Sequence, residues 1–226
     1  MRIGALSAKY ESNGNPGIVS TGWGDAGGVS YGCYQLATNT GSIDSFVCWL
    51  KAQGHPYGDM LSTHPAGSLM FSATWQYCAE NDADGFAQLQ HDYIQHAYYD
   101  PAVAVLRAAY FNIENHHEVM QDVIWSRTVQ YGMGNIVELF ELGMKSIGYE
   151  NLSYVDAPNF DAEIIRAVYS FLIEEADSVA DNGNGWYKSR QGWITGSWDV
   201  VCGLRNRFVN ECADALAILA ENSTAR

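Results

Sequence analysis

The chain has 226 residues, of which 47% are apolar, enough to bury the core of one large domain or of a domain with two lobes. Its 26 acidic residues against 12 basic ones give a formal net charge of −14. That balance excludes the clustered Lys and Arg that phosphate backbones and anionic membrane surfaces require; it suits a cationic substrate, or serves solubility alone.

In chain order, residues 3–12 read as a short helix that Asn13-Gly14-Asn15-Pro16 breaks. Residues 17–36 are rich in glycine and carry the β-prone runs Gly17-Ile18-Val19 and Val29-Ser30-Tyr31, which predicts a small hairpin with its turn at 22–28. From residue 42 helices dominate: Ser42 as N-cap for 43–50, then 67–80, 84–99 and, after a restart at Asp100-Pro101, 101–112. Residues 116–131 read as strongly amphipathic, with Val119, Val123, Ile124 and Val129 near one face. Helices at 135–147 and 161–180, a turn at 182–185 and a last helix at 198–221 complete the pattern, with a weak stretch at 148–160. No repeat or linker interrupts it, so the expectation is a single domain over residues 1–226, α+β and mostly α.

Five cysteines, an odd number without a CxxC pair, predict neither a disulfide framework nor a zinc site. Residues 1–10 hold no long apolar run, and no stretch of about 18 apolar residues follows. The expectation is a chain made in the cytoplasm without a signal peptide and without membrane insertion.

The first 36 residues hold the candidate chemistry. Glu11 ends the first predicted helix, Asp25 lies fourteen residues on in the Gly-rich turn, and Ser30 five beyond it. Cleaving a glycosidic bond needs one protonated carboxyl for the leaving oxygen and a second carboxylate across the sugar ring. A helix end against apolar neighbours such as Leu6 and Tyr10 raises the pKa of the acid, and a wet loop keeps the base ionised. A Glu and an Asp in a Gly-rich region are also commonplace, and Asp25 is an ordinary turn residue on chemical grounds.

Other residues have plainer readings. Asp44 suits a helix first turn, and Asp100 an N-cap. His91 and His96 stand five apart, not four, and the adjacent His116 and His117 point to different sides of a helix, so no metal and no cofactor is implied. Cys33 lacks a partner for nucleophilic work. Tyr34, Gln35, Gln130 and Tyr131 are candidates for lining a sugar site, although each is also an ordinary core or surface residue.

The segment Ser7-Ala8-Lys9-Tyr10-Glu11-Ser12-Asn13-Gly14-Asn15-Pro16 resembles the catalytic stretch of the lysozyme-like superfamily, and Tyr31-Gly32-Cys33-Tyr34-Gln35-Leu36 its "Gly-x-x-Gln" strand. Gly24-Asp25-Ala26-Gly27-Gly28-Val29-Ser30 and Tyr99-Asp100-Pro101-Ala102 are similar to segments of the family 46 chitosanases. The 123–132 segment, Trp186-Tyr187-Lys188-Ser189-Arg190 and Gly203-Leu204-Arg205-Asn206-Arg207 resemble parts of chitosanase-like phage endolysins. The resemblance implies a lysozyme-like fold of two lobes around a cleft, with Glu11 as general acid, Asp25 as general base and Ser30 placing the water. It further implies an inverting mechanism, peptidoglycan or a related amino-sugar polymer as partner, and action on the wall after release by lysis. Ala26 and Val29 depart from the chitosanase pattern. The alternatives are a chitosanase, a lytic transglycosylase, or an inactive phage wall-binding or structural protein.

Overall fold

The computed structural model describes residues 3, 4, 6, 14–21 and 28–224. The chain is α+β and mostly helical, as expected, and divides into two compact units, Ala8–Ala97 and Met1–Ser7 with Tyr98–Arg226.

In the unit Ala8–Ala97, strands β1 (Val19–Thr21), β2 (Val29–Tyr31) and β3 (Leu36–Ala37) form an antiparallel sheet in that order. The predicted hairpin is therefore present as β1–β2, in the register Val19↔Tyr31, Ser20↔Ser30 and Thr21↔Val29. Most of the predicted first helix, and the turn at 22–27, lie outside the described residues. Helix α1 (Ser42–Ala52) buries Ile43, Phe46, Val47 and Leu50, a stripe at helical spacing. Its cap is Gly41 rather than Ser42. Gly41 takes the left-handed conformation (φ 72°), and the Ser42 hydroxyl accepts from the Ala37 amide at 2.8 Å, tying the helix to β3.

Helix α2 (Pro56–Leu61), which periodicity did not reveal, starts on a proline and is too short for an apolar pattern. It packs closely on α1: a Cβ on Gly58 would stand 2.6 Å from the Lys51 backbone nitrogen. Helix α3 (Leu69–Asn81) is capped by Ser68, and α4 (Ala83–Ile94) by Asp82, whose carboxylate accepts from Gly85. The core joins sheet to helices through rings, with Tyr31 against Phe71 at 5.1 Å, Trp75 against Phe86 at 4.7 Å and Phe46 against Tyr93 at 5.3 Å.

Asp100-Pro101 does not restart the chain. A π-turn, Gln95–Tyr99, leads straight into α5 (Asp100–Ala108), widening the hydrogen-bond ring just before the residue that has no N–H to give. In the second unit, α6 (Glu118–Tyr131) is the central helix, touching α5, α7 (Ile136–Ser146), α8 (Asp161–Asp177) and α9 (Trp198–Thr224). It is not amphipathic as the sequence predicted. Val119, Met120 and every residue from Asp122 to Thr128 are buried, because neighbours cover all its sides. Gly4 belongs to this packing; its amide donates to Asp122, and a Cβ there would meet the Trp125 ring at 2.9 Å. A second antiparallel sheet, β4 (Ala180–Asp181), β5 (Trp186–Lys188) and β6 (Thr195–Ser197), replaces the expected end of the 161–180 helix; the predicted turn at 182–185 joins β4 to β5.

Burying α6 on all sides brings charge inside. Arg127 is fully buried, sandwiched between the Tyr169 and Phe208 rings at 5.1 and 5.0 Å from its guanidinium carbon. Its Nη2 donates to Glu211 at 2.5 Å, and the same carboxylate accepts from Arg207 (2.6 Å), Tyr169 (3.0 Å) and Ser126 (3.0 Å). Burial alone would raise the pKa of Glu211, but the Arg127 and Arg207 charges outweigh it and hold the carboxyl below its ordinary range. All five cysteines are free thiols, and no described helix is long and apolar enough to cross a membrane.

Two outcomes follow for stability. Glu211→Gln leaves Arg127 buried without a counter-charge and should cost about 3–5 kcal/mol in urea denaturation. Because the folded carboxyl titrates below the unfolded one, its contribution is complete above the ordinary Glu pKa of about 4.3 and fades as pH falls below it, so the gap between variant and parent should close in acid. Gly58→Ala should cost about 1–3 kcal/mol, since a backbone atom of α1 cannot move aside as a flexible side chain would.

Candidate functional site

Glu11 and Asp25 lie outside the described residues. Asp25 belongs to the connection that β1 and β2 close. Glu11 precedes the turn at Asn15-Pro16-Gly17, where the Asn15 side chain accepts from the Gly17 amide at 2.9 Å. The Pro16 carbonyl is buried under two side-chain donors, Trp75 Nε1 at 2.8 Å and Gln90 Nε2 at 3.0 Å. Close packing beyond the turn requires a small residue at 17, for a Cβ there would stand 2.9 Å from that of Ala79. An open pocket of about 260 Å³ borders the turn, with Asn15, Pro16, Gln76 and Glu80 among its walls.

Ser30 sits on the central strand β2, 7% exposed, opposite Ser20 on one side and Ala37 on the other. The turn after β2 then carries the next two candidates. The Tyr34 hydroxyl is hydrogen-bonded to His91 Nδ1 at 2.9 Å, and His91 is itself buried on α4. Gln35 is exposed with a left-handed backbone (φ 51°), and its side-chain amide donates back to the Gly32 carbonyl at 2.9 Å. One function of Gln35 is therefore to close its own turn. Ser30, Tyr34 and Gln35 fall in the unit Ala8–Ala97, whereas Gln130 and Tyr131 belong to the other unit, at the end of α6. There the Gln130 amide donates to the Tyr131 hydroxyl at 3.3 Å, while its Oε1 is buried without a hydrogen-bond partner. The Tyr131 ring meets Trp193 edge-on at 5.3 Å, and burial raises its phenol well above the usual range.

Two features escaped the sequence reading. Gln90 is one: it occupies the place of an apolar residue in the stripe Phe86, Gln90, Tyr93 and Ile94, fully buried, and that misplaced polarity was its signal. The other is the pair of adjacent histidines. His116 and His117 do not diverge; each places its Nδ1 on a different oxygen of Asp161, at 2.5 and 2.8 Å. The His116 Nε2 lies 3.2 Å from Asp156, and its ring stacks on Phe111 at 4.2 Å. Burial would raise Asp156, but hydrogen bonds from the Asn112 side chain and amide, from Asn115 and from His116 bring it below its ordinary value. Among the described residues no group of three such side chains is placed to hold a metal ion.

The family model described as "Type VI secretion system spike protein VgrG3-like, C-terminal" matches residues 3–196. Type VI secretion system spike protein VgrG3 of Vibrio cholerae serotype O1 (strain ATCC 39315 / El Tor Inaba N16961) is 35% identical over 186 residues, 82% of this chain. The aligned part is 17% of that relative, so the chain spans a small fraction of the protein it matches. These matches overturn the expected kinship with family 46 chitosanases and phage endolysins, which rested on scattered segments of four to ten residues where the family match is continuous. The chain belongs to the VgrG3-like C-terminal family of type VI secretion spike proteins.

Proposed function

We propose that this chain is the wall-directed domain of a type VI secretion spike and that it cleaves glycosidic bonds of peptidoglycan, with Glu11 as general acid and Asp25 as general base. The observation that carries the reading is the match of residues 3–196, both carboxylates among them, to the VgrG3-like C-terminal family of type VI secretion system spike proteins. On this reading the domain is carried with the spike, and the wall polymer is its substrate. The strongly acidic surface supports a carbohydrate over a nucleic acid or an anionic lipid surface. Delivery by the spike takes the place of release by lysis. Ser30 would place the attacking water, and Tyr34, Gln35, Gln130 and Tyr131 would contact glycan.

A second reading is a spike domain that binds the wall or serves the assembly without catalysis. The likeness to a spike protein favours it.

The discriminating experiment is digestion of purified peptidoglycan, with products identified by mass spectrometry. Reducing-end muropeptides are expected from the parent chain, and Glu11→Gln should lower kcat about a hundredfold or more, in line with the usual contribution of a general acid. Asp25→Asn should lose a comparable factor. Anhydro-ends insensitive to Asp25→Asn would replace hydrolysis by transglycosylation. Intact glycan bound equally well by the parent chain and by Glu11→Gln would establish the non-catalytic reading.

A further inference from the structure

We infer that Gln90 is a positioning residue for the proposed hydrolysis, tying the turn that follows Glu11 to the end of the strand that follows Asp25. The inference rests on the catalytic reading above. Gln90 has no solvent exposure, and both ends of its amide are used: Nε2 donates to the Pro16 carbonyl at 3.0 Å, and Oε1 accepts from the Cys33 amide at 2.9 Å. Pro16 stands five residues after Glu11, and Cys33 eight after Asp25. One buried side chain thus joins two backbone segments just past the end of the β1–β2 ladder, where the Gly32 amide donates to the Ile18 carbonyl at 2.8 Å. The site is shaped around it. Gly32 has φ +71°, and a Cβ there would stand 2.1 Å from Gln90 Oε1, so the turn approaches the amide as closely as a bare backbone allows. Trp75 holds the same Pro16 carbonyl from α3, so the turn after Glu11 is fixed from two helices.

Among side chains of this size only an amide offers a donor and an acceptor at its two ends irrespective of pH. A carboxyl can still accept from Cys33, but it can donate to Pro16 only when protonated. Rates depend on placing reacting groups within about 1 Å, whereas substrate affinity is spread over many contacts, so losing the clamp should lower kcat and spare KM.

The test uses the parent chain, Gln90→Leu, Gln90→Glu and Glu11→Gln, with kcat and KM measured on soluble glycan strands between about pH 4 and 8. Thermal unfolding and hydrogen exchange of the Cys33 amide are followed in parallel. Gln90→Leu should lower kcat about tenfold with KM changed less than about twofold, and should speed exchange at Cys33. Gln90→Glu should be impaired at neutral pH, and its kcat relative to the parent should recover as pH falls and the introduced carboxyl gains its O–H. A folded Gln90→Leu with parental kcat, or a Gln90→Glu ratio that does not change with pH, overturns the inference. If Gln90→Leu fails to fold, the pH dependence of Gln90→Glu decides alone. Full activity in Glu11→Gln removes the catalytic reading and the positioning role with it, whereas a silent Gln90→Leu beside an inactive Glu11→Gln removes the positioning role alone.

Discussion

The unit that contains α6 depends on one buried carboxylate. A helix packed on every side has no solvent face on which to put a charged residue, yet α6 carries Arg127 at its centre. Desolvating a guanidinium is tolerable only with a counter-charge in contact, and Glu211 of α9 supplies it. The arrangement is not fully satisfied: Arg127 Nε and Nη1 have no hydrogen-bond partner, and the faces of Tyr169 and Phe208 cover them with π electrons instead. Such a network does less to raise stability than to fix which arrangement is stable, since α9 slipped by one residue along α8 would leave the charges unmatched.

The other unit meets the same cost with neutral groups. Its sheet has strands of two or three residues, too short to satisfy the backbone around them, and the surrounding turns carry buried carbonyls and amides. Trp75 and Gln90 reach out of helices to pair with these groups, and Tyr31 reaches from the sheet to Ser72 and to the Gly67 amide. The hairpin is held by side chains of the helical layer as much as by its own ladder. That gives the irregular backbone at Pro16, Cys33 and Gly67 the definition that helices enjoy intrinsically.

Legibility in the sequence followed the range of the interactions. Helices set by local periodicity could be read closely: 135–147 was expected and Ile136–Ser146 observed. The hairpin followed from glycine spacing and β-branched residues. What escaped was decided by distant partners. The amphipathic pattern expected of residues 116–131 misled because the partners that bury Arg127 and Asp122, Glu211 and Gly4, are remote in sequence. Strands β4 to β6 are too short to show alternation, and the shared Asp161 of His116 and His117 comes from forty-odd residues downstream. For the candidate site, Tyr34 and Gln35 were read as sugar-lining residues in a segment resembling a strand but stand in the turn after β2, while Gln90, which ties that turn down, looked like one more polar position on a helix. Short resemblances around Glu11 and Asp25 pointed to the wrong relatives because four to ten residues specify a turn more than a lineage.

The long helix α9 has a consequence for where this domain can be cut. The family match ends at residue 196, whereas Glu211 lies fifteen residues beyond it. A fragment trimmed to the matched segment would keep Arg127 and discard its counter-ion, so the unit of folding is longer than the unit of recognisable ancestry. Any graft of this domain onto another carrier has to bring α9 along as structural ballast, even if no residue of that helix ever meets a substrate.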